Sequence, residues 1–194
     1  MSKLYFRYGA MNSGKSTHLM QVAHNYKERG MNSLLLKPST DKKGGEKLVS
    51  RLGVERKVDI LISDEDNIFK KVEKWHNEKS NIDCLLVDEV QFLKSSQIDQ
   101  LFDVAVALDI PVICYGLRTD FKTQGFEGSI RLLLIAHTVE EMKTICKCGR
   151  KALFNGRKIN GKFVFEGEQI AIDNIDNVEY ESLCGHCFFK YKQS

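Results

Sequence analysis

Through the first two-thirds of the chain, short apolar runs alternate with stretches whose apolar residues recur at helical spacing. The short runs are typical of strands that are buried on both faces, and the helical spacing is typical of amphipathic helices. A further helix is expected after Ser129. The pattern predicts strands at 4–8, 33–37, 58–62, 83–88 and 111–115, and helices at 15–29, 66–79 and 95–108.

This alternation of strands and helices predicts an α/β fold with a mostly parallel sheet and helices on both of its faces. The stretch Ser39–Lys57 interrupts the series, because it is polar, contains adjacent glycines and mixes both signs of charge. It is either a flexible loop or a functional lid. From about Met142 the pattern changes to cysteine pairs, short strands and turns, so we expect one domain at 1–141 and a smaller one at 142–194.

The turn between the first predicted strand and the first predicted helix carries a recognisable motif. Residues Gly9–Ser16 read G-A-M-N-S-G-K-S, a complete G-x-x-x-x-G-K-S phosphate-binding loop in the strand-loop-helix context that this motif requires. Main-chain N–H groups and the helix amino terminus attract phosphate oxygens, Lys15 reaches the β- and γ-phosphates, and the Ser16 hydroxyl binds Mg²⁺. The motif predicts a bound nucleoside triphosphate on a sheet of the P-loop NTPase type.

A second set of charged groups follows the strand Leu85–Val87, which ends in Asp88 and Glu89. The carboxyl ends of parallel strands share one edge of the sheet, so we expect Asp88 to help hold Mg²⁺ and Glu89 to act as general base. An Asp-Glu pair of this kind occurs both in ATPases, where it activates water, and in kinases, where it activates a substrate hydroxyl. The sequence shows no surface for binding a polymer, which favours a small molecule as acceptor of the phosphoryl group. The expected ATP and Mg²⁺ contacts are Gly9, Ala10, Met11, Asn12, Ser13, Gly14, Lys15, Ser16, Thr17 and Asp88.

Composition limits the class of protein further. The 194 residues, of which 42% are hydrophobic, suit one globular domain with a small appendage. A net charge of +3 suits anionic nucleotides but falls short of the basic stripe of a nucleic-acid binder, so we expect no nucleic-acid partner. No apolar run is long enough for a membrane span and the first strand begins at once, so we expect a cytoplasmic protein without a membrane partner.

The six cysteines fall into two classes. Cys84 and Cys114 lie within apolar runs and are expected to be buried small hydrophobes. The remaining four form a C-x-C pair and a C-x-x-C pair, and in a cytosolic chain this spacing favours structural Zn²⁺ over disulfides. His186 is an alternative to the last of them as fourth ligand. The expected ligands are Cys146, Cys148, Cys184 and Cys187.

Taken together, several motifs resemble the thymidine kinase family of the type that carries a zinc-bound lasso. They run from Leu4 to about Phe188 and include the phosphate loop, Val87–Phe92, Tyr115–Phe121, Phe126–Gly128, the four cysteines, and Gly167–Gln169 leading to Tyr180. The resemblance implies ATP-dependent phosphorylation of the 5′-hydroxyl of thymidine, and less certainly of deoxyuridine. It also implies a homotetramer and feedback inhibition by thymidine triphosphate.

Residue roles follow from the same resemblance. It implies that Glu89 is the base for the 5′-hydroxyl, that Gln91 and Phe92 shape the sugar pocket, and that Asp41 and Arg51 lie near the sugar. Lys43 stands where the family usually has arginine, and Asp173-Asn174 replaces the usual Gly-Gly of the lasso. The implied thymidine contacts are Met11, Asp41, Arg51, Gln91, Phe92, Leu117, Phe121, Phe126, Ile170, Ala171, Ile172 and Tyr180.

Two functions of other classes remain open from the residues alone. One is a P-loop ATPase whose zinc element binds nucleic acid, and this hypothesis predicts ATP hydrolysis that is stimulated by DNA or RNA. The other is a nucleotide-sensing regulator, which predicts ATP binding without product.

Overall fold

A six-stranded sheet forms the centre of the amino-terminal part of the chain. The computed structural model describes residues 1–40, 47–49, 53, 55–169 and 177–193. The strands of this sheet are β1 (Leu4–Tyr8), β2 (Ser33–Pro38), β5 (Ile60–Ile62), β6 (Cys84–Val87), β7 (Val112–Gly116) and β8 (Thr138–Glu141). Between β2 and β5, the short strands β3 (Lys47–Val49) and β4 (Glu55–Lys57) pair antiparallel with each other.

The strands are ordered β5-β2-β6-β7-β1-β8, and every pairing in this sheet is parallel. The predicted parallel sheet is therefore confirmed. Strand β7 lies between β1, which leads into the phosphate loop, and β6, which ends before Asp88. Residues that follow these three strands meet at one edge of the sheet.

Helices cover both faces of the sheet. They are α1 (Lys15–Glu28), α2 (Ile68–Glu78), α3 (Ser95–Ala107) and α4 (Glu127–Ile135). Leu34 and Leu36 point into a core with α2, α3 and α4, whereas Leu35 between them packs against α1. Both faces of β2 are thus buried, and this explains why it reads as a continuous apolar run.

The structure differs from the sequence prediction at two places in this region. Strand β8 was not predicted; it pairs with β1 at the sheet edge, and its sequence Thr-Val-Glu-Glu is too polar to read as a buried strand. The polar stretch Ser39–Lys57 contains the hairpin of β3 and β4, and Leu48 at its centre is buried. These strands have only three residues each and lie among charged residues, so the sequence pattern did not predict them.

The residues after Glu141 form two small antiparallel sheets and a helix, with an apolar cluster of their own around Leu183 and Phe188. We call the described residues 142–169 and 177–193 the carboxyl-terminal region. None of the helices among the described residues is long and apolar enough to cross a bilayer. The elements are β9 (Thr144–Ile145), β10 (Lys151–Ala152), β11 (Phe154–Ile159), β12 (Lys162–Val164), β13 (Val178–Leu183) and α5 (Gly185–Lys192).

Candidate active site

The phosphate loop is held by its own main chain and by the first turn of α1. Gly14, which precedes the helix, has φ 78°, a left-handed conformation that glycine adopts without steric cost. The side chain of Lys15 is buried, and its Nζ donates to the carbonyl oxygens of Gly9 at 3.1 Å and Ala10 at 3.0 Å. The ammonium group therefore lies inside the loop, where phosphate oxygens would bind.

Side chains beneath α1 anchor its first turn. The buried hydroxyl of Tyr115 on β7 lies 2.9 Å from Nδ1 of His18 and accepts from Nη1 of Arg7 at 3.0 Å. Arg7 in turn donates to Glu140 on β8 at 2.7 Å. Burial raises the pKa of Tyr115 to about 12, so it stays a neutral hydroxyl. This network ties the helix that follows the loop to the central strands.

Asp88 and Glu89 lie at the edge of the sheet beside the loop. The buried Asp88 carboxylate accepts from the Ser16 hydroxyl at 3.5 Å, which brings two oxygen ligands together where one Mg²⁺ ion could contact both. Glu89 has φ 47° and ψ 38°, a left-handed conformation that is costly for a residue with a side chain. The chain turns there out of β6 and into a 3₁₀ turn over Val90–Phe92.

Gln91 joins Glu89 to the loop that follows β7. Its Nε2 donates to a carboxylate oxygen of Glu89 at 2.5 Å, and its Oε1 accepts from the N–H of Leu117 at 3.0 Å. A Cβ at Gly116 would lie 2.6 Å from that Oε1, so the absence of a side chain at Gly116 makes room for the amide. The carbonyl of Leu117 accepts from the hydroxyl of Ser129. Both the N–H and the carbonyl of Leu117 are thus held by hydrogen bonds to side chains.

Phe121 and Phe126 belong to this loop, and we call these two rings together with Phe92 the aromatic cluster. Phe92 and Phe126 meet edge to face with ring centroids 5.7 Å apart, and Phe126 is buried. Phe121 is also buried, and its neighbour Asp120 accepts two main-chain N–H bonds that fold the loop. A flat, apolar ligand such as a base would find partners in this cluster.

Met11, within the phosphate loop, is held by the carboxyl-terminal region. Its N–H donates to Oδ1 of Asn155 at 2.7 Å, and its carbonyl accepts from the hydroxyl of Ser182. The amide nitrogen of Asn155 donates in addition to the carbonyl of Thr119 at 3.0 Å. Asn155 and Ser182 are directly opposite each other on β11 and β13. One cross-strand pair therefore connects the phosphate loop to the loop after β7.

A second pair on the same face of these strands is Arg157 and Tyr180, and the guanidinium group of Arg157 lies over the Phe121 ring. Of the expected lasso residues, Tyr180 is thus connected to Phe121 through Arg157. Ile170, Ala171, Ile172 and the turn Asp173-Asn174 lie outside the described residues, as do Asp41, Lys43 and Arg51.

The four expected cysteines converge. The sulfur atoms of Cys146, Cys148, Cys184 and Cys187 all lie within 4.8 Å of one another, so the cluster could hold a metal ion. The N–H of Cys187 donates to the sulfur of Cys184 at 3.4 Å and lowers the pKa of Cys184 to about 7, which favours the metal-binding thiolate. His186 is exposed and is not part of the cluster.

Comparison with known proteins decides among the functions left open above. A family model described as thymidine kinase matches residues 2–188. The chain belongs to the thymidine kinase family. The thymidine kinase of Francisella tularensis subsp. holarctica is 46% identical over 189 residues, 95% of each chain. That of Haemophilus influenzae is 47% identical over 186 residues, covering 95% of this chain and 94% of its own.

Among solved structures, AMPPCP-bound DnaA from Aquifex aeolicus covers 76% of this chain and 42% of its own, with 16% identity and a TM-score of 0.42. Membership of the thymidine kinase family makes the protein a member of a kinase family and favours the kinase hypothesis over the nucleic-acid ATPase. The resemblance inferred from the motifs is confirmed.

Sequence reasoning missed several residues that shape this thymidine kinase site, among them Asn155, Arg157 and Ser182. In a strand that alternates in polarity, polar residues are normally assigned to the solvent face. Asn155 and Arg157 share one face of β11, yet both are buried against the amino-terminal part of the chain. The pairing of β11 with β13 would have shown that their polar residues share one face. Periodicity along one strand does not predict which strands pair.

Proposed function

We propose that this protein transfers the γ-phosphoryl group of ATP to the 5′-hydroxyl of thymidine, and also to that of deoxyuridine. The observation that carries the proposal is the side chain of Gln91, which contacts both Glu89 and the N–H of Leu117. It links the carboxylate at the phosphate end with the loop that lines the aromatic cluster. A nucleoside whose base lies in that cluster would direct its 5′-hydroxyl towards the phosphate loop.

In this proposal Glu89 accepts the proton of the 5′-hydroxyl as its oxygen attacks the γ-phosphorus. The new O–P bond forms as the bond to the β-phosphate oxygen breaks, and ADP leaves in line. Lys15 and the N–H groups of the loop stabilise charge on the phosphates. Mg²⁺, when bound by Ser16 and Asp88, would supply further charge neutralisation.

Thymidine recognition is assigned to Met11, Gln91, Phe92, Leu117, Phe121, Phe126 and Tyr180. Asp41, Arg51 and Ile170–Ile172 are proposed to complete the site from the family resemblance alone. We further propose a nucleotide-binding domain at 1–141 and a lasso domain at 142–194 that is stabilised by one structural Zn²⁺ on the four cysteines. The sulfur cluster and the separate apolar cluster around Leu183 support this division.

A homotetramer and feedback inhibition by thymidine triphosphate are part of the same proposal. Exposed apolar side chains on α4, namely Ile130 at 50% and Leu134 at 72% exposure, support an interface between copies. The clustered thiols suit a reducing compartment, so we place the protein in the cytoplasm. Light scattering after size-exclusion chromatography tests the tetramer, and a dominant monomer would contradict it.

One assay tests the central proposal. Labelled thymidine, ATP and Mg²⁺ are incubated with the protein beside parallel reactions with deoxyuridine and deoxycytidine. We expect thymidine monophosphate as the main product and stoichiometric ADP. Hydrolysis of ATP that is stimulated by DNA or RNA and indifferent to thymidine would support the ATPase hypothesis instead. ATP binding with no product at all would support the regulator.

A further inference from the structure

Arg157 is a buried cation in the carboxyl-terminal region, and 4% of its surface is exposed. No carboxylate of the described residues forms an ion pair with it. Burying a charge is costly unless hydrogen bonds or other polar partners compensate. The contacts that replace the missing carboxylate therefore indicate what this side chain does.

Each part of the guanidinium group has a different partner. Nε donates to the hydroxyl of Tyr180 at 3.0 Å, Nη1 donates to the carbonyl of Glu168 at 2.8 Å, and Nη2 donates to the carbonyl of Gln169 at 3.0 Å. Glu168 and Gln169 precede the segment 170–179, and Tyr180 follows it. One planar group thus joins Tyr180 on β13 to the chain at Glu168 and Gln169.

The same group packs on the aromatic cluster. The guanidinium carbon lies 3.7 Å from the centroid of the Phe121 ring, within the range of a close cation–π contact. One face of Phe121 is thereby covered, so a bound base can meet only its other face or its edge. Lys122, next to Phe121, donates to the carbonyl of Gly167 at 2.8 Å and connects the same two parts of the chain.

We propose that Arg157 is a positioning residue for thymidine, which fixes Tyr180 and Phe121 relative to each other and to the carbonyls of Glu168 and Gln169, so that this part of the base site is formed before the nucleoside binds. This role rests on the proposed thymidine site. Its contacts need a planar fork with separated N–H groups, which lysine lacks. The effect should fall on thymidine affinity, because none of the contacts between Arg157 and the described residues involves the phosphate loop or Glu89.

The test is Arg157→Lys, which keeps the charge and loses the fork. We expect KM and Kd for thymidine to rise about 10- to 100-fold, as for loss of charge-assisted hydrogen bonds, with kcat within about threefold and KM for ATP within about twofold. Zinc content should equal that of the wild type. The matched control is Lys158→Ala on the opposite face of the same strand, where Lys158 pairs with Glu181, and it should leave both substrates' constants unchanged.

A double-mutant cycle locates the effect. Tyr180→Phe removes one partner of Arg157, so its loss of thymidine affinity should be smaller than in Arg157→Lys and non-additive with it. Wild-type affinity in Arg157→Lys, or equal losses for ATP and thymidine, would overturn the positioning role. If Arg157→Lys does not fold, unchanged thymidine affinity in Tyr180→Phe overturns it. A wild-type protein that does not phosphorylate thymidine would contradict the proposed function instead.

Discussion

The two ends of the proposed substrate cleft are held in different ways. At the phosphate end, Lys15 bonds to carbonyls five and six residues before it, and the loop follows directly from β1 and leads directly into α1. At the base end, Asn155 is 144 residues from its partner Met11, and Ser182 is 171 residues from it. The first arrangement is local, whereas the second exists only after two distant parts of the chain have packed.

This difference separates chemistry from recognition. Groups that handle phosphate are placed by strand ends and a helix terminus, which recur wherever a parallel sheet occurs. Among the groups that we assign to the base, Met11 is held by side chains of β11 and β13, and Phe121 packs on Arg157 of β11. These two strands share an apolar cluster with Cys146 and Cys184. The base end should therefore be lost before the phosphate end when the carboxyl-terminal region is disturbed.

Loss of the metal site is the strongest test of this comparison. We expect about one Zn²⁺ per chain in the wild type and none in Cys148→Ser, with loss of a stabilisation that is ~10–16 kcal/mol in zinc-finger peptides. Thymidine binding should disappear, while ATP binding weakens by about 10- to 100-fold, because the loop keeps its local bonds but loses the contacts of Met11 with Asn155 and Ser182. Metal analysis and calorimetric titration of each ligand measure the two effects.

Cys84→Ala is the matched control for zinc loss, because Cys84 is buried in the sheet and is not in the cluster. It should retain zinc and thymidine binding. A wild-type protein without zinc, or a Cys148→Ser variant that binds thymidine normally, would contradict the dependence of the base end on the metal.

The next largest effect is expected from Glu89→Gln at the phosphate end. Turnover should fall ~10²–10⁴-fold, because the amide cannot accept the proton, while ATP and thymidine still bind within about threefold. Single-turnover kinetics together with equilibrium binding separate the two quantities. Glu78→Gln on the exposed surface of α2 is the control, and it should change neither turnover nor the binding of either substrate. Retained turnover in Glu89→Gln would remove Glu89 from the role of base.

The features of the phosphate end could be predicted from the sequence, whereas most of those at the base end could not. The parallel sheet, the phosphate loop and the pair Asp88 and Glu89 could be predicted, because each depends on a run of neighbouring residues with a known geometry. The four cysteines could be predicted as a cluster because a C-x-C pair and a C-x-x-C pair have the close spacing of metal ligands. Each of these predictions rests on short windows of the chain, and the cysteine cluster rests on two of them.

The base end could not be predicted in the same way. Asn155 and Arg157 alternate with Phe154 and Gly156 and so resemble the solvent face of a strand. Their burial results from the packing of β11 and β13 against loops more than 20 residues away, at Thr119 and Phe121. Strand β8 was missed for a related reason, since it is an edge strand with two acidic residues. The burial of these residues and the position of β8 depend on contacts between distant parts of the chain, which no local sequence pattern predicts.

A smaller effect is expected where the two ends meet. Asn155→Ala removes the partners of the Met11 N–H and the Thr119 carbonyl, and each unpaired group costs about 1–3 kcal/mol when buried. We expect Kd for both ATP and thymidine to rise about 10- to 100-fold, since the phosphate loop and the base loop share this side chain. Titration calorimetry measures both, with Asn25→Ala on the exposed side of α1 as control. An effect on thymidine alone would show that the phosphate loop does not depend on the carboxyl-terminal region.

The smallest effect is expected from Ser182→Ala, which removes one hydroxyl donor from the carbonyl of Met11. A single hydrogen bond contributes about 0.5–1.5 kcal/mol, so Kd for each substrate should rise about two- to tenfold. Because Ser182 and Asn155 hold the two sides of one residue, the double variant with Asn155→Ala should lose less than the product of the separate losses. Strictly multiplicative losses would mean that the two side chains act on separate structures. In that case the cross-strand pair would not be the link between the phosphate end and the base end.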